Sequence, residues 1–230
     1  YVGAQAVAAA SPDGYTFLVS AGSTMLITPH IVGRPDFVPV DELLPVAPTV
    51  RTTLTLIVRS NFPANDFKEF LAYAKANPGK VSYGSAGTGT GLHIAGEMLR
   101  RATKIDFLHV PFRGAGPALN DLLGGHVDFM FDPGVGREHS RAGRVRLLAT
   151  AGTARMPDFP DAPTFAELGL DVDSGPYFGF YAPKGVSPDI VQRLNAEIGA
   201  AIQTLDVRQR LDAMGLEITK MTPAQFADYV

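Results

Sequence analysis

Apolar residues arrive along this chain in two rhythms. Short runs rich in β-branched and aromatic residues predict strands: YTFLVSA (15–21), TLTLIVRS (53–60), VSYGSA (81–86), DFLHVPF (106–112), VDFMFD (127–132), VRLLATA (145–151) and YFGFYAP (177–183). Between several of them the apolar residues return every three or four positions, which predicts helices in DFKEFLAYAKANPG from 66, LHIAGEMLRRA (92–102) and PALNDLL (117–123). Asp66 and Glu69 have the spacing of a capping box, and Pro78-Gly79 and Gly124-Gly125 are stop signals. A proline-rich connection (156–163) leads to a short helix around 164–168. The chain closes with a long helix near 188–203 and two shorter ones at 207–214 and 222–230, the last with Thr222 as N-cap and Pro223 at the first helical position. The β-α-β-α-β order through the middle predicts an α/β fold with largely parallel sheets. No internal repeat or low-complexity tract interrupts it.

Composition narrows the functional classes more than it changes the fold. With 230 residues, 46% of them hydrophobic, the chain can bury one large core or two lobes. A formal net charge of -3, with no basic cluster longer than Arg100-Arg101, gives no attraction to polyanions, so nucleic acid is not an expected partner. The absence of cysteine removes thiol catalysis, disulfides and thiolate metal sites, but it fits an oxidising and a reducing compartment alike. No apolar run approaches the roughly 18 residues of a membrane span, and no charged segment followed by an apolar one opens the chain. A soluble, already processed or trimmed chain is the expectation.

The stretch YGSAGTGTGLHIAGEM (83–98) carries the candidate chemistry. Its strand-glycine-helix order suits a dinucleotide fold, but from Gly87 the spacing is G-x-G-x-G, and the acidic residue wanted at the end of the next strand would lie near Asp106, which instead begins its strand. There is no G-K-[ST], and Ser85 stands in G-S-A-G rather than at the centre of a hydrolase elbow. What survives is a set of backbone N–H groups, the hydroxyls of Ser85, Thr88 and Thr90, and the positive end of a helix macrodipole, which together suit a carboxylate. A tight βα turn with hydroxyl caps is the alternative. The five histidines, His30, His93, His109, His126 and His139, show no metal-ligand spacing, and His93 with Glu97 at i, i+4 fits a helix-surface pair equally well. No metal and no cofactor is expected. Asp132 follows apolar FMF at a strand's carboxyl end, where open α/β sheets bind ligands, or else caps the next segment; Arg113 follows another strand end, where it reaches an anion or stays solvated.

Longer motifs carry a resemblance. AKANPGKVSYGSAGTGTGLHIAGEML, HVPFRGAGPALNDLLGGHVDFMFD, AGRVRLLATAG, PDFPDAPTFAELGL and YFGFYAPKGVSP, in that order, resemble the Bug family, the extracytoplasmic solute-binding receptors of tripartite tricarboxylate transporters. The resemblance runs from GAQAVAAASPDGYTFLVS to TPAQFADYV. It implies a two-lobed periplasmic binding protein of type II, each lobe a mixed, mostly parallel sheet flanked by helices. Residues 1–59 with 182–230 would form one lobe and 60–181 the other, TLTLIVRS leading out and YFGFYAPKG leading back. It implies a monomer in the periplasm of a Gram-negative bacterium that captures a small organic carboxylate between its lobes and delivers it to membrane permease subunits, without catalysis. The candidate acids are dicarboxylates, tricarboxylates, aromatic acids and acidic amino acids. Ligand binding would shift the population toward a closed state. Ser85, Ala86, Gly87, Thr88, Gly89 and Thr90 would clasp the carboxylate, with Ser20, Ser23 and Phe178 from the other lobe, Arg113 reaching the anion, and Asp132 accepting from a ligand hydroxyl or ammonium.

Set against that family, the chain begins after the usual first strand and helix with their Pro-Gly-Gly loop, stops within the final helix, and has Tyr177 where tryptophan is common. The lobe built from the two ends is therefore expected to be incomplete, lacking the N-terminal βα unit. Two other readings stay open: an α/β enzyme acting on a small carboxylic acid, and a receptor remnant that no longer binds.

Overall fold

A computed structural model describes residues 1–32, 37–172, 175 and 177–230. By contact the chain separates into two compact units, Tyr1–Thr52 with Pro176–Val230, and Thr53–Gly175.

The chain enters the first unit through α1 (Val2–Ala8), β1 (Leu18–Ala21), the short helices α2 (Gly22–Leu26), α3 (Thr28–Val32) and α4 (Pro39–Glu42), and the long strand β2 (Leu43–Thr52). It then builds the second unit from β3 (Thr55–Arg59), α5 (Phe67–Ala76), β4 (Ser82–Ser85), α6 (Gly91–Thr103), β5 (Leu108–Pro111), α7 (Ala115–Leu123), β6 (Phe129–Asp132), α8 (Arg137–Arg141) and β7 (Val145–Thr150). It returns to the first unit through β8 (Tyr177–Pro183), α9 (Pro188–Ala201), α10 (Leu205–Ala213), β9 (Leu216–Ile218) and α11 (Pro223–Tyr229). The segment 53–60, expected at the edge of the end-derived lobe, lies in the second unit, because β3 pairs with β6 on one side and β7 on the other. The return strand β8 belongs wholly to the first unit, where it pairs with β1 and β2.

The second unit carries a sheet of order β5-β4-β6-β3-β7. β4 runs parallel to both β5 and β6, and only β3 opposes its neighbours. This is the mostly parallel sheet that the βαβ alternation implies. Its core is aromatic: Phe70, Tyr83, Phe129, Phe131 and Phe165 are fully buried. Helix α5 starts where predicted, with the Asp66 carboxylate accepting the Glu69 N–H at 2.7 Å, but Glu69 reaches back one residue further, to the Asn65 N–H at 2.7 Å. The short helix expected around 164–168 is instead a tight turn, closed reciprocally by Glu167 N–H on the Thr164 hydroxyl and Thr164 N–H on the Glu167 carboxylate.

In the first unit the order is β1-β8-β2-β9, and every described ladder is antiparallel, unlike the parallel pairing expected there. β1 and β2 do point the same way, but the returning β8 is inserted between them and runs against both. The register of β2 against β8 shifts between Pro45 and Ala47 and again between Pro48 and Val50, irregularities that accommodate two prolines in a strand interior. Helix α11 opens with the full capping box of Thr222 and Gln225 and with Pro223 in its first turn.

Candidate functional site

Three parallel strands of the second unit end on one edge. The register pairs Ser85 with Pro111 and Gly84 with Met130, so the loops after β4, β5 and β6 leave the sheet side by side. From β4 the chain crosses to β5 on one side, and from β6 it proceeds to β7 on the other. The crevice where neighbouring connections diverge, outside the carboxyl ends, is where open α/β sheets hold ligands. Its walls here are the β4–α6 loop and the loop after β6.

The β4–α6 loop is built by its own polar groups. Gly87 and Gly89 have φ of +129° and +83°, which turn the chain sharply before α6. The Thr90 hydroxyl donates to the Gly87 carbonyl at 2.7 Å, and Thr90 is the N-cap residue of α6 without a side-chain capping bond. The Ser85 hydroxyl lies 2.7 Å from His109 Nε2 and accepts the Gly87 N–H at 3.2 Å. Thr88 is exposed, Ala86 is half-buried and Gly89 is buried. Two of the three hydroxyls therefore shape the loop from within. The loop leads straight into the first turn of α6, which carries the positive end of the helix macrodipole. Ser85 and His109 have the separation of a nucleophile and its base, but the Ser85 side chain is wholly buried and has no face for a substrate.

Asp132 ends β6 with 1% exposure and turns back on its own loop. Its carboxylate accepts the Gly136 N–H at 2.9 Å and the Gly134 N–H at 3.1 Å, so it shapes the second wall of the crevice. Burial raises its pKa to about 6 against the pull of those N–H bonds. The folded chain thus keeps a proton that the unfolded chain has lost, and stability falls as pH rises from about 4 through about 6. The shift corresponds to about 3 kcal/mol, counted at 1.36 kcal/mol per unit. Urea unfolding of the protein and of Asp132→Asn should show their difference in stability changing by about that amount between pH 3.5 and 7, to the disadvantage of the native residue. A difference that stays flat over that range would refute this ionisation.

Around Ser85 stands a group of side chains that the sequence reading placed elsewhere or passed over. Tyr83 and His109 are register partners in the parallel ladder, and their rings stack at 4.8 Å. His93 stacks on His109 at 4.2 Å, and its Nδ1 accepts the Gly89 N–H at 3.1 Å. Glu97 accepts the Tyr83 hydroxyl at 3.1 Å and pairs with Arg100 at 2.8 Å. His93 and Glu97 are therefore not a helix-surface pair: each turns to a partner on the strand side. Their spacing was visible in the sequence; the strand they face was not. Burial and Glu97 push the Tyr83 hydroxyl pKa well up, and burial holds both imidazoles below the usual histidine range.

The remaining candidates are placed as follows. Arg113 is exposed on the loop after β5, next to Phe112, whose N–H donates to the Ser85 carbonyl at 3.0 Å. Ser20, Ser23 and Phe178 belong to the first unit. Ala21 is paired with Phe178 and Ser20 with Gly179, and Ser23 follows in α2, so these three candidates gather at one end of the β1–β8 ladder. A groove of about 650 Å³ elsewhere in that unit, lined by Leu44, Val186, Val191, Asn195 and Pro223 among others, contains no charged side chain to meet an anion. Among the described residues no cluster of His, Asp or Glu is able to hold a metal ion, and no helix is long and apolar enough to cross a membrane.

Comparison with known proteins adds to this geometry. The profile of the family described as "Tripartite tricarboxylate transporter family receptor" matches residues 1–230. A "UPF0065 protein in tcbD-tcbE intergenic region" of Pseudomonas sp. (strain P51) is 34% identical over 99% of this chain and 68% of its own length. "Protein BugT" of Bordetella pertussis is 32% identical over 100% of this chain and 71% of its own. Among solved structures, "MatC (Rpa3494) from Rhodopseudomonas palustris with bound malate" superposes with a TM-score of 0.88 at 32% identity, covering 99% of this chain and 79% of that one. "R. palustris Rpa4515 with adipate" superposes with a TM-score of 0.92 at 26% identity, covering 99% and 77%.

Proposed function

This chain belongs to the receptor family of tripartite tricarboxylate transporters, and from that premise we propose that it captures a small dicarboxylate in the periplasm and delivers it to the permease subunits of such a transporter. Members of the family are solute-binding receptors and not enzymes. The observation that carries the ligand class is the β4–α6 loop: two left-handed glycines present the backbone and the first turn of α6 at the carboxyl edge of three parallel strands. The positive end of α6 attracts a carboxylate without burying a lysine or arginine, and the exposed Arg113 adds positive charge from the neighbouring loop. The ligands of the two structural relatives, a short hydroxylated dicarboxylate and a longer plain one, support the same choice. Asp132 would act on the acid through the loop it shapes.

Gly87 offers a direct test. A side chain there meets a backbone conformation that L residues rarely adopt, and its Cβ would stand 3.3 Å from the Phe112 carbonyl. Relieving that strain, on the order of 1–3 kcal/mol, re-aims the loop. Calorimetric titration with malate and adipate should show Gly87→Ala losing roughly 10–100-fold in affinity, the same energy expressed as binding. Equal affinities in the two proteins would remove the loop from the site. Thermal shifts measured with dicarboxylates, tricarboxylates, aromatic acids and acidic amino acids decide the class, since a ligand of the folded state raises the midpoint in proportion to ln(1 + [L]/Kd). Stabilisation by none of the four would end the carboxylate reading.

A further inference from the structure

The β4–α6 loop is held from behind by two imidazoles. His93 Nδ1 accepts the Gly89 N–H at 3.1 Å, and His109 Nε2 lies 2.7 Å from the Ser85 hydroxyl, which in turn accepts the Gly87 N–H. The two rings stack on each other with 26° between their planes. Both positive-φ glycines of the loop are thereby tied to histidines on two other elements, α6 and β5.

The two contacts respond differently to a proton. A ring nitrogen accepts an N–H only when it is bare, so the Gly89 bond assigns His93 as neutral with its proton on Nε2. Protonation turns His93 Nδ1 into a donor facing another donor, and the bond is lost. At His109 the hydroxyl of Ser85 adapts: it donates to a bare Nε2, or it accepts from a protonated one and turns its own proton to the Gly87 carbonyl at 3.2 Å.

We propose that His93 and His109 are the positioning residues of the anion loop, the neutral His93 ring fixing Gly89 through its acceptor Nδ1 and His109 fixing Ser85 through the bond between Nε2 and the hydroxyl, and that a proton on His93 releases Gly89 and with it the binding shape of the loop. The proposal rests on the carboxylate reading for its purpose, though not for its test. The charged and titratable groups around the pair come from three elements. Tyr83 on β4 stacks on His109; Glu97 and Arg100 lie further along α6; and Asp106, just before β5, acts on Arg100. Glu97 favours the charged form of each ring, but its carboxylate is engaged by the Tyr83 hydroxyl and Arg100. Burial outweighs it at both rings, and His93 adds its own opposition at His109. The neutral pair is thus the resting form at neutral pH, and release comes on acidification below the usual histidine midpoint.

The experiment is nitrogen-15 NMR on the ligand-free protein between pH 7.5 and 5. His93 should show a bare Nδ1 and a protonated Nε2. The Gly89 amide should shift with the same midpoint as the His93 ring, and its hydrogen exchange, corrected for the intrinsic rate, should quicken roughly ten-fold across that midpoint as one net hydrogen bond is lost. In His93→Asn, whose side-chain oxygen replaces the acceptor without titrating, Gly89 should stay protected at every pH; in His93→Phe it should exchange fast at every pH. A His93 ring protonated on Nδ1 at pH 7.5, or a Gly89 amide indifferent to the His93 titration, overturns the proposal. Malate and adipate titrations on the same samples separate it from the functional reading. Where either acid binds, affinity corrected for the acid's own ionisation should follow Gly89 protection in the native protein and be flat in His93→Asn; affinity that ignores that protection overturns the positioning role. Where neither binds, the dicarboxylate assignment fails and the NMR result still decides the histidines.

Discussion

Replacing Phe129 by alanine is expected to cost about 3–5 kcal/mol, the range for truncating a fully buried aromatic. The side chain is 0% exposed and stands at the centre of the second unit's sheet, opposite Val58 on β3 and Tyr83 on β4. Its ring meets Phe70 and Phe107 edge-on at 5.2 Å and stacks on Tyr83 at 5.3 Å. Removing it opens a cavity among rings that are themselves held on α5, on β4 and just before β5, so little collapse can refill it. For a chain of this length the loss corresponds to a fall in thermal midpoint of roughly 6–20 °C, at about 2–4 °C per kcal/mol. Phe129→Leu, which keeps most of the volume, should lose less than half as much. Calorimetry or urea unfolding read by circular dichroism checks both. A Phe129→Ala protein within 1 kcal/mol of the native one would show that this aromatic cluster is not what holds the unit together.

Gly96→Ala is expected to lower stability by about 3 kcal/mol, the upper part of the usual overpacking range, and to weaken acid binding as well. The added Cβ would lie 2.3 Å from the Tyr83 ring and 2.8 Å from its hydroxyl oxygen. Tyr83 has nowhere to go: its ring is stacked between neighbours that include Phe129 and His109, and its hydroxyl is held by Glu97. Helix α6 must therefore lift from the sheet, which moves the loop at its N-terminus and separates His93 from Gly89. The expected midpoint drop is roughly 6–12 °C. The cause is isolated by a double-mutant cycle with Tyr83→Leu: once the larger ring is gone, the alanine should cost much less, giving a coupling of about 1–2 kcal/mol. Strict additivity of the two changes would place the damage somewhere other than this contact.

Much of the second unit was legible because its signals are local. The runs at 81–86, 106–112 and 127–132 contain the strands β4, β5 and β6, and the intervening periodic segments are α6 and α7, since βαβ order leaves few arrangements that bury those faces. The caps at Asp66 and Thr222 are readable for the same reason: each bond spans three residues or fewer. The strand β2 was not legible, because Pro45 and Pro48 argue against any central strand, and it exists only where register shifts against β8 absorb them. The antiparallel first sheet was hidden as well. Nothing in 177–183 says that it slots between strands formed near the other end of the chain.

The candidate site divides in the same way. The chain by itself determined a glycine-rich turn ahead of an amphipathic helix, the absence of a phosphate motif, and long ordered motifs that place it in a receptor family. Those properties follow from residue type and spacing, which act over a few positions. Only the tertiary structure decided that the Ser85 hydroxyl faces His109, that His93 holds Gly89, and that Asp132 folds onto its own loop. Parallel strands have no hairpin to fix their register, so which side chains of β4, β5 and α6 meet is set by packing across the sheet, and packing alone turned a loop of glycines and hydroxyls into one braced by two neutral imidazoles.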